Sequence, residues 1–133
     1  MTTTDDHRRV IREAFESWEQ GDDRPFFSLV HDDVRWTVIG STEISGSFGN
    51  RREFLAGAAG KLTGKFATPV SAKLVDVAAD GNKVFVQWEG SATTTAGTSY
   101  EQVYCWVLTM ADGKIVKVVA YLDTELVARV LAE

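Results

Sequence analysis

The stretch Tyr100–Val127, YEQVYCWVLTMADGKIVKVVAYLDTELV, decides the fold. Two runs rich in β-branched and aromatic residues, TSYEQVYCWVLTM and KIVKVVAYL, flank ADG, a turn signal of the kind that closes a β-hairpin. Directly after the second run the texture changes to the helical spacing of TELVARVLAE, so a strand delivers the chain straight into a closing helix. Upstream, SAKLVDVAA, the turn DGN, KVFVQWEGSATT and a loop at Ala96 and Gly97 repeat the alternating texture. Four strands joined by tight turns predict an antiparallel meander.

Before Pro69 the pattern is helical. Val10, Ile11, Ala14, Phe15 and Trp18 form one apolar stripe, predicting a helix from Asp5 or Asp6 to Gly21. RPFFSLV places Pro25 in the first turn of a short second helix, HDD closes it, and VRWTVIG reads as a strand. GSTEISGSFGN reads as an irregular loop. RREFLAGAAGKL reads as a third helix, weakened by Gly57 and Gly60 by about 1 kcal/mol each relative to alanine, where a neighbour could approach closely. Helices grouped ahead of an antiparallel sheet predict an α+β fold.

The 133 residues, 44% hydrophobic with four tryptophans, predict a single domain over 1–133 with a sizeable core. The net charge is −5, and the 14 basic residues never cluster, which argues against nucleic acid and against an anionic membrane surface. Cys105 is the only cysteine, so no internal disulfide and no thiolate set for zinc is available, and a lone thiol suits the cytoplasm. The N-terminal MTTTDDHRRV lacks the pattern of an export leader, and no run of about 18 apolar residues occurs. The expectation is a soluble, cytoplasmic protein.

Four strings carry a resemblance: FESWEQGD, LVHDDVRWTVIG, GSFGNRREFL and, most specifically, YEQVYCWVLTMADGKIVKVVAYLDTELV. Through them the chain resembles the SnoaL-like proteins of the nuclear-transport-factor-2-like, or ketosteroid-isomerase-like, superfamily over nearly its whole length. The resemblance implies a cystatin-like α+β barrel. In it a cone-shaped, curved, mixed sheet wraps an apolar pocket, with about three N-terminal helices, a short C-terminal helix and a homodimer through the outer sheet faces. The superfamily reuses one cup for isomerases, epoxide hydrolases, polyketide cyclases, dehydratases and binding proteins, so activity is argued from residues.

The steroid isomerases of the superfamily use a tyrosine, an aspartate base and a protonated acid; counting from Gly21, Gly40 and Gly113 sets these near Ala14, Thr37 and Cys105, and none keeps the chemistry. The epoxide hydrolases use an Asp-Arg-Asp set, but Ala120 stands where one aspartate is needed and no arginine occurs from Val70 to Tyr121. A SnoaL-type cyclase needs one general base and no cofactor, so that chemistry stays open. The alternative is a non-catalytic ligand-binding or regulatory module of the same fold.

Three residues are candidates for the acid–base role. Asp123 opens DTELV, where it can act as a base beside Tyr121 or cap the last helix. Glu101 shares a strand face with Val103, Cys105 and Val107; the count that turns Cys105 inward puts that face in the cup and sends Tyr100, Tyr104 and Trp106 towards a dimer partner. His31, before Asp32 and Asp33, can exchange protons or cap a turn. The expected pocket walls are Trp36, Trp88, Val103, Cys105 and Tyr121, with no metal site and a small apolar molecule as ligand.

Overall fold

The computed structural model of the protein describes residues 3–133; the first two residues, part of the stretch read for a leader, lie outside the described residues. Helix α1 (Thr4–Glu19) starts in a reciprocal cap: Thr3 accepts from the Asp6 amide, and the Asp6 side chain accepts from the Thr3 amide. Ile11, Ala14, Phe15 and Trp18 lie on its buried stripe. Helix α2 (Arg24–Leu29) has Pro25 in its first turn, where the missing N–H needs no partner.

Strand β1 (Val30–Val38) begins earlier than the HDD triplet predicts. A register shift between Val30 and Arg35 lets His31, Asp32 and Asp33 bulge outward without ending the pairing. The glycine-rich loop holds a three-residue strand, β2 (Gly46–Phe48), antiparallel to β1. The third helical segment runs as α3 (Arg51–Phe54), a π-helical turn (Leu55–Ala59) and α4 (Gly60–Thr63). A Cβ on Gly57 would come within 2.5 Å of the Phe48 ring, and one on Gly60 within 2.6 Å of the Leu55 carbonyl oxygen. The two glycines thus allow the close approach and the wide turn.

The meander follows as β3 (Ser71–Asp80), β4 (Lys83–Thr93), β5 (Ser99–Ala111) and β6 (Lys114–Leu122), and α5 (Thr124–Leu131) closes the chain. The β5–β6 turn has Asp112 at φ 50° and Gly113 at φ 77°, the pair of positive angles whose twist suits a tight hairpin. The sheet is six-stranded and mixed, in the order β2-β1-β6-β5-β4-β3, with β1 and β6 the parallel pair. The fold is α+β, with three helical segments before the meander and a short helix after it.

One layer of side chains joins helices to sheet. Phe15 and Trp18 of α1 pack against Phe26, Trp88 and Trp106 with ring centroids 4.8–6.4 Å apart. Trp36 stacks on Phe54 at 3.9 Å, tying β1 to α3. His7 bonds through Nδ1 to the Gly81 carbonyl at 3.0 Å, fixing the start of α1 to the β3–β4 turn.

Alternation along β5 is unbroken, but its faces are the reverse of those counted from the sequence. Tyr100, Gln102, Tyr104, Trp106 and Leu108 point to the helices, and Glu101, Val103, Cys105 and Val107 point away. The neighbouring β6 carries a one-residue register shift between its pairings to Thr109 and Met110. That slip exchanges faces within β6 and leaves β5 untouched; the count from Gly113 gives which β5 residues share a face, but not which of the two faces the helices cover.

Candidate functional site

The concave side of the sheet and the helices enclose a cavity of about 260 Å³. Trp36 of β1, Trp88 of β4 and Trp106 of β5 form its floor, because strand alternation turns all three to the same side. Phe54, Ala58 and Leu62 cover it from the third helical segment. Asp23 at the N-cap of α2, Phe27 within α2 and Val70 just before β3 border it. Nineteen residues line this space and few of them are polar, so apolar burial dominates what it can offer a ligand.

The polar groups are specific. The Tyr104 hydroxyl lies 2.8 Å from the Tyr100 hydroxyl, and its ring stacks on Trp88 at 4.2 Å. Gln102 joins this pair to the end of β6: its Nε2 donates to Tyr100 Oη and to the Asp123 carbonyl, and its Oε1 accepts from the amides of Asp123 and Val103. Burial pushes the Tyr100 phenol above the ordinary tyrosine range, against the bonds from Tyr104 and Gln102. Burial pushes Tyr104 higher still, so both are neutral phenols at physiological pH. The indole N–H groups of Trp88 and Trp106 are buried with no hydrogen-bond partner among the described residues. Asp23 has its carboxylate free of any side-chain cap bond, although it sits at the N-cap of α2.

A SnoaL-like domain profile matches residues 11–118. The chain belongs to that family. No sequence among curated proteins matches it. Solved structures share the fold of this SnoaL-like domain. An NTF2-like protein from Burkholderia thailandensis is 20% identical, with a TM-score of 0.76 and 98% of each chain covered. A cystatin-like-fold protein from Xanthomonas campestris is 21% identical, with a TM-score of 0.76, covering 94% of this chain and 97% of its own. A protein named as a SnoaL-like polyketide cyclase, from Jannaschia sp. CCS1, is 14% identical, with a TM-score of 0.72, covering 95% and 91%.

Within this SnoaL-like cup the sequence candidates scatter. Trp36 and Trp88 line the cavity. Val103, 59% exposed, and Tyr121, 47% exposed, lie on the convex face with Cys105, so they are not cavity walls here; Tyr104, Trp106, Ala120 and Leu122 take those places. The reversal also removes Tyr104 and Trp106 from the outer surface proposed for a dimer. Asp123 is the N-cap of α5, accepting from the Leu126 amide at 3.2 Å through Oδ1. Glu101 accepts from the Ser91 hydroxyl at 2.8 Å beside a separate polar groove. His31 is exposed, its Nδ1 accepting from the Asp33 amide at 2.9 Å. The structure does not bring these three together, and none borders the aromatic cavity.

Sequence reasoning missed Asp23, Phe54, Tyr104 and Trp106. The signal for the last two was their company: the β5 face with three large rings and a leucine is the one an α+β fold covers. Asp23 carries no such signal, because an acid before RPFF reads as a helix start. Among the described residues no three His, Cys, Asp or Glu side chains gather as a metal-binding group, and no helix is long and apolar enough to cross a membrane.

Proposed function

We propose that this chain is a cytoplasmic small-molecule cup that takes a largely apolar ligand between Trp36, Trp88 and Trp106. The observation that carries the reading is the cavity's aromatic lining with its few polar groups. Burial of apolar surface contributes about 25 cal/mol per Å² before the costs of association, so affinity should follow ligand hydrophobicity and respond little to salt. A naphthalene-based probe titrated against tryptophan fluorescence tests this. Binding should weaken in Trp36→Ala more than in Glu101→Gln. Tight, steeply salt-dependent binding of a phosphate ester in place of the probe would contradict the reading.

A cofactor-free enzyme of cyclase or isomerase type is the second reading, favoured by Asp23. Asp23, an exposed residue at the edge of the cavity, makes no side-chain cap bond, and one base is all that proton transfer from carbon requires. Asp123, Glu101 and His31 remain outside that cavity, so we assign the role to Asp23 ahead of them. Acetonaphthone in heavy water reports it directly: the enzyme reading expects faster deuterium entry into the acetyl methyl with the protein present and loss of that acceleration in Asp23→Asn. No acceleration leaves the non-catalytic binding module.

The convex sheet face supports a homodimer. Val75, Phe85, Val103 and Tyr121 are exposed there. Lys83 of β4, Lys117 of β6 and Arg35 of β1, with the neutral Thr109 of β5 between the two lysines, make a row at one end, and Glu89 and Glu101 lie towards the other. A second copy packed antiparallel would set each basic row against acids and cover the apolar centre. Sedimentation should give a dimer at micromolar concentration that Phe85→Lys dissociates; a wild-type monomer would contradict it.

A further inference from the structure

The third helical segment changes pitch once. The Gly60 N–H donates to the Leu55 carbonyl five residues back, where a regular helix reaches four back, and the Gly64 N–H restores the ordinary step by donating to the Gly60 carbonyl. One residue is therefore extra between α3 and α4. Glycine at 60 admits the wide turn, since the Leu55 oxygen sits 2.6 Å from where a Cβ would be. Both ends of the segment are tied to the body. Ahead of the turn, Arg51 donates to the Val30 carbonyl at 3.3 Å and Phe54 stacks on Trp36 at 3.9 Å. Behind it, the Lys65 carbonyl accepts from the Thr95 amide at 2.9 Å. From Leu55 to Gly64 the only side-chain hydrogen bond among the described residues stays inside the segment, from Thr63 Oγ1 to the Gly60 carbonyl.

That middle stretch is also a wall of the cavity. Ala58, Ala59, Leu62 and Thr63 line it, and Thr63, exposed like Asp23 and Pro69, marks where the cavity meets solvent. An extra residue held between two fixed ends cannot leave, but it can move along the helix, since each backbone bond released ahead of it is replaced behind it. Moving it from Leu55–Ala59 towards Lys65 turns each residue it passes by about 100° and shifts it by about 1.5 Å. Each wall position then passes to the residue before it, with Gly57 in the place of Ala58 and Lys61 in that of Leu62. The lysine amine reaches for water, so the wall opens where the buried Leu62 had closed it. The same shift sets Ala56 where Gly57 clears the Phe48 ring, and a Cβ there lies 2.5 Å from that ring, so the shut register is the resting one. We propose that this wide turn is the gate of the cavity, shut with the extra residue at Leu55–Ala59 and open when it has moved towards Lys65. The gate rests on the apolar-cup reading and adds the ligand's way in.

Amide hydrogen exchange in the free wild-type protein tests the gate without a ligand. The amides from Gly60 to Gly64, whose partners change as the turn moves, should exchange about tenfold faster than those of Phe54 and Leu55; equal protection overturns the proposal. Entry of acetonaphthone, followed by tryptophan quenching after rapid mixing, should quicken with concentration and then level off at the opening rate. Gly60→Ala forbids the wide turn in its shut place while favouring helix, and should raise that plateau about fivefold. Deletion of the exposed Ala56 takes the extra residue out, leaves the shut wall on an ordinary helix, and should slow entry about tenfold. A wild-type rate that climbs in proportion to concentration without a plateau overturns the gate, as does unchanged entry in a folded deletion variant. Should the deletion variant not fold, the exchange comparison decides. Failure of acetonaphthone to bind overturns instead the apolar-cup reading, and the exchange comparison still decides the gate.

Discussion

The two faces of β5 differ by one step of the backbone and by almost everything else. On the concave face, Tyr100, Gln102, Tyr104, Trp106 and Leu108 sit beneath the helices and share one hydrogen-bonded, aromatic network. On the convex face, Glu101, Val103, Cys105 and Val107 meet no helix, and Val103 is left mostly open. Both faces hold apolar and polar groups, but the large rings gather on the face that the helices cover. Substitutions should therefore cost stability on one face and association on the other.

The largest contrast is expected between Trp106→Ala and Val103→Ala. Removing the buried indole leaves a cavity and should cost about 3–5 kcal/mol in chemical denaturation, while truncating the exposed valine should stay within about 0.5 kcal/mol. Equal losses would break the comparison. Next comes Gln102→Leu against Glu101→Gln. Losing the amide strands the Asp123 and Val103 amides and the Asp123 carbonyl, so about 1–3 kcal/mol is expected, against almost nothing for the exposed Glu101 carboxylate.

Alkaline pH sharpens the same contrast. Tyr100 and Tyr104 are both raised in the fold, so below the unfolded value of about 10 both states hold their protons and the fold is fully stable. Above it the unfolded chain releases protons first, and stability should fall as pH rises towards the folded values. Denaturation midpoints should decline less steeply in Tyr104→Phe than in the wild type; parallel slopes would contradict the burial argument. The smallest effect belongs to Asp123. Asp123→Ala should cost about 1 kcal/mol and Asp123→Asn only a few tenths, because asparagine also caps the Leu126 amide.

The element order was legible because period-two and period-3.6 patterns do not depend on tertiary contacts. Tight turns such as Asp112-Gly113 declared themselves by residue type. What was hidden needed the third dimension. The bulge between Val30 and Arg35 turns an apparent breaker, HDD, into strand, and the register slip in β6 carries Tyr121 outward and Ala120 inward. Alternation tells which residues share a face and not which face the helices cover: Trp36 and Trp88 line the concave cavity, while Val103 and Cys105 stand on the convex side, opposite to the sequence count. Asp23 stayed unseen because its neighbours across the cavity are remote in sequence.

The indole N–H resonances of the tryptophans give the most direct test of the central claim that the concave aromatic cavity is the ligand site. On titration with a naphthalene-based probe, the signals of Trp36, Trp88 and Trp106 should shift together and saturate, while the backbone amides of Phe85, Val103 and Tyr121 on the convex face stay in place. Saturating shifts confined to the convex amides, with the three indoles unmoved, would contradict the account.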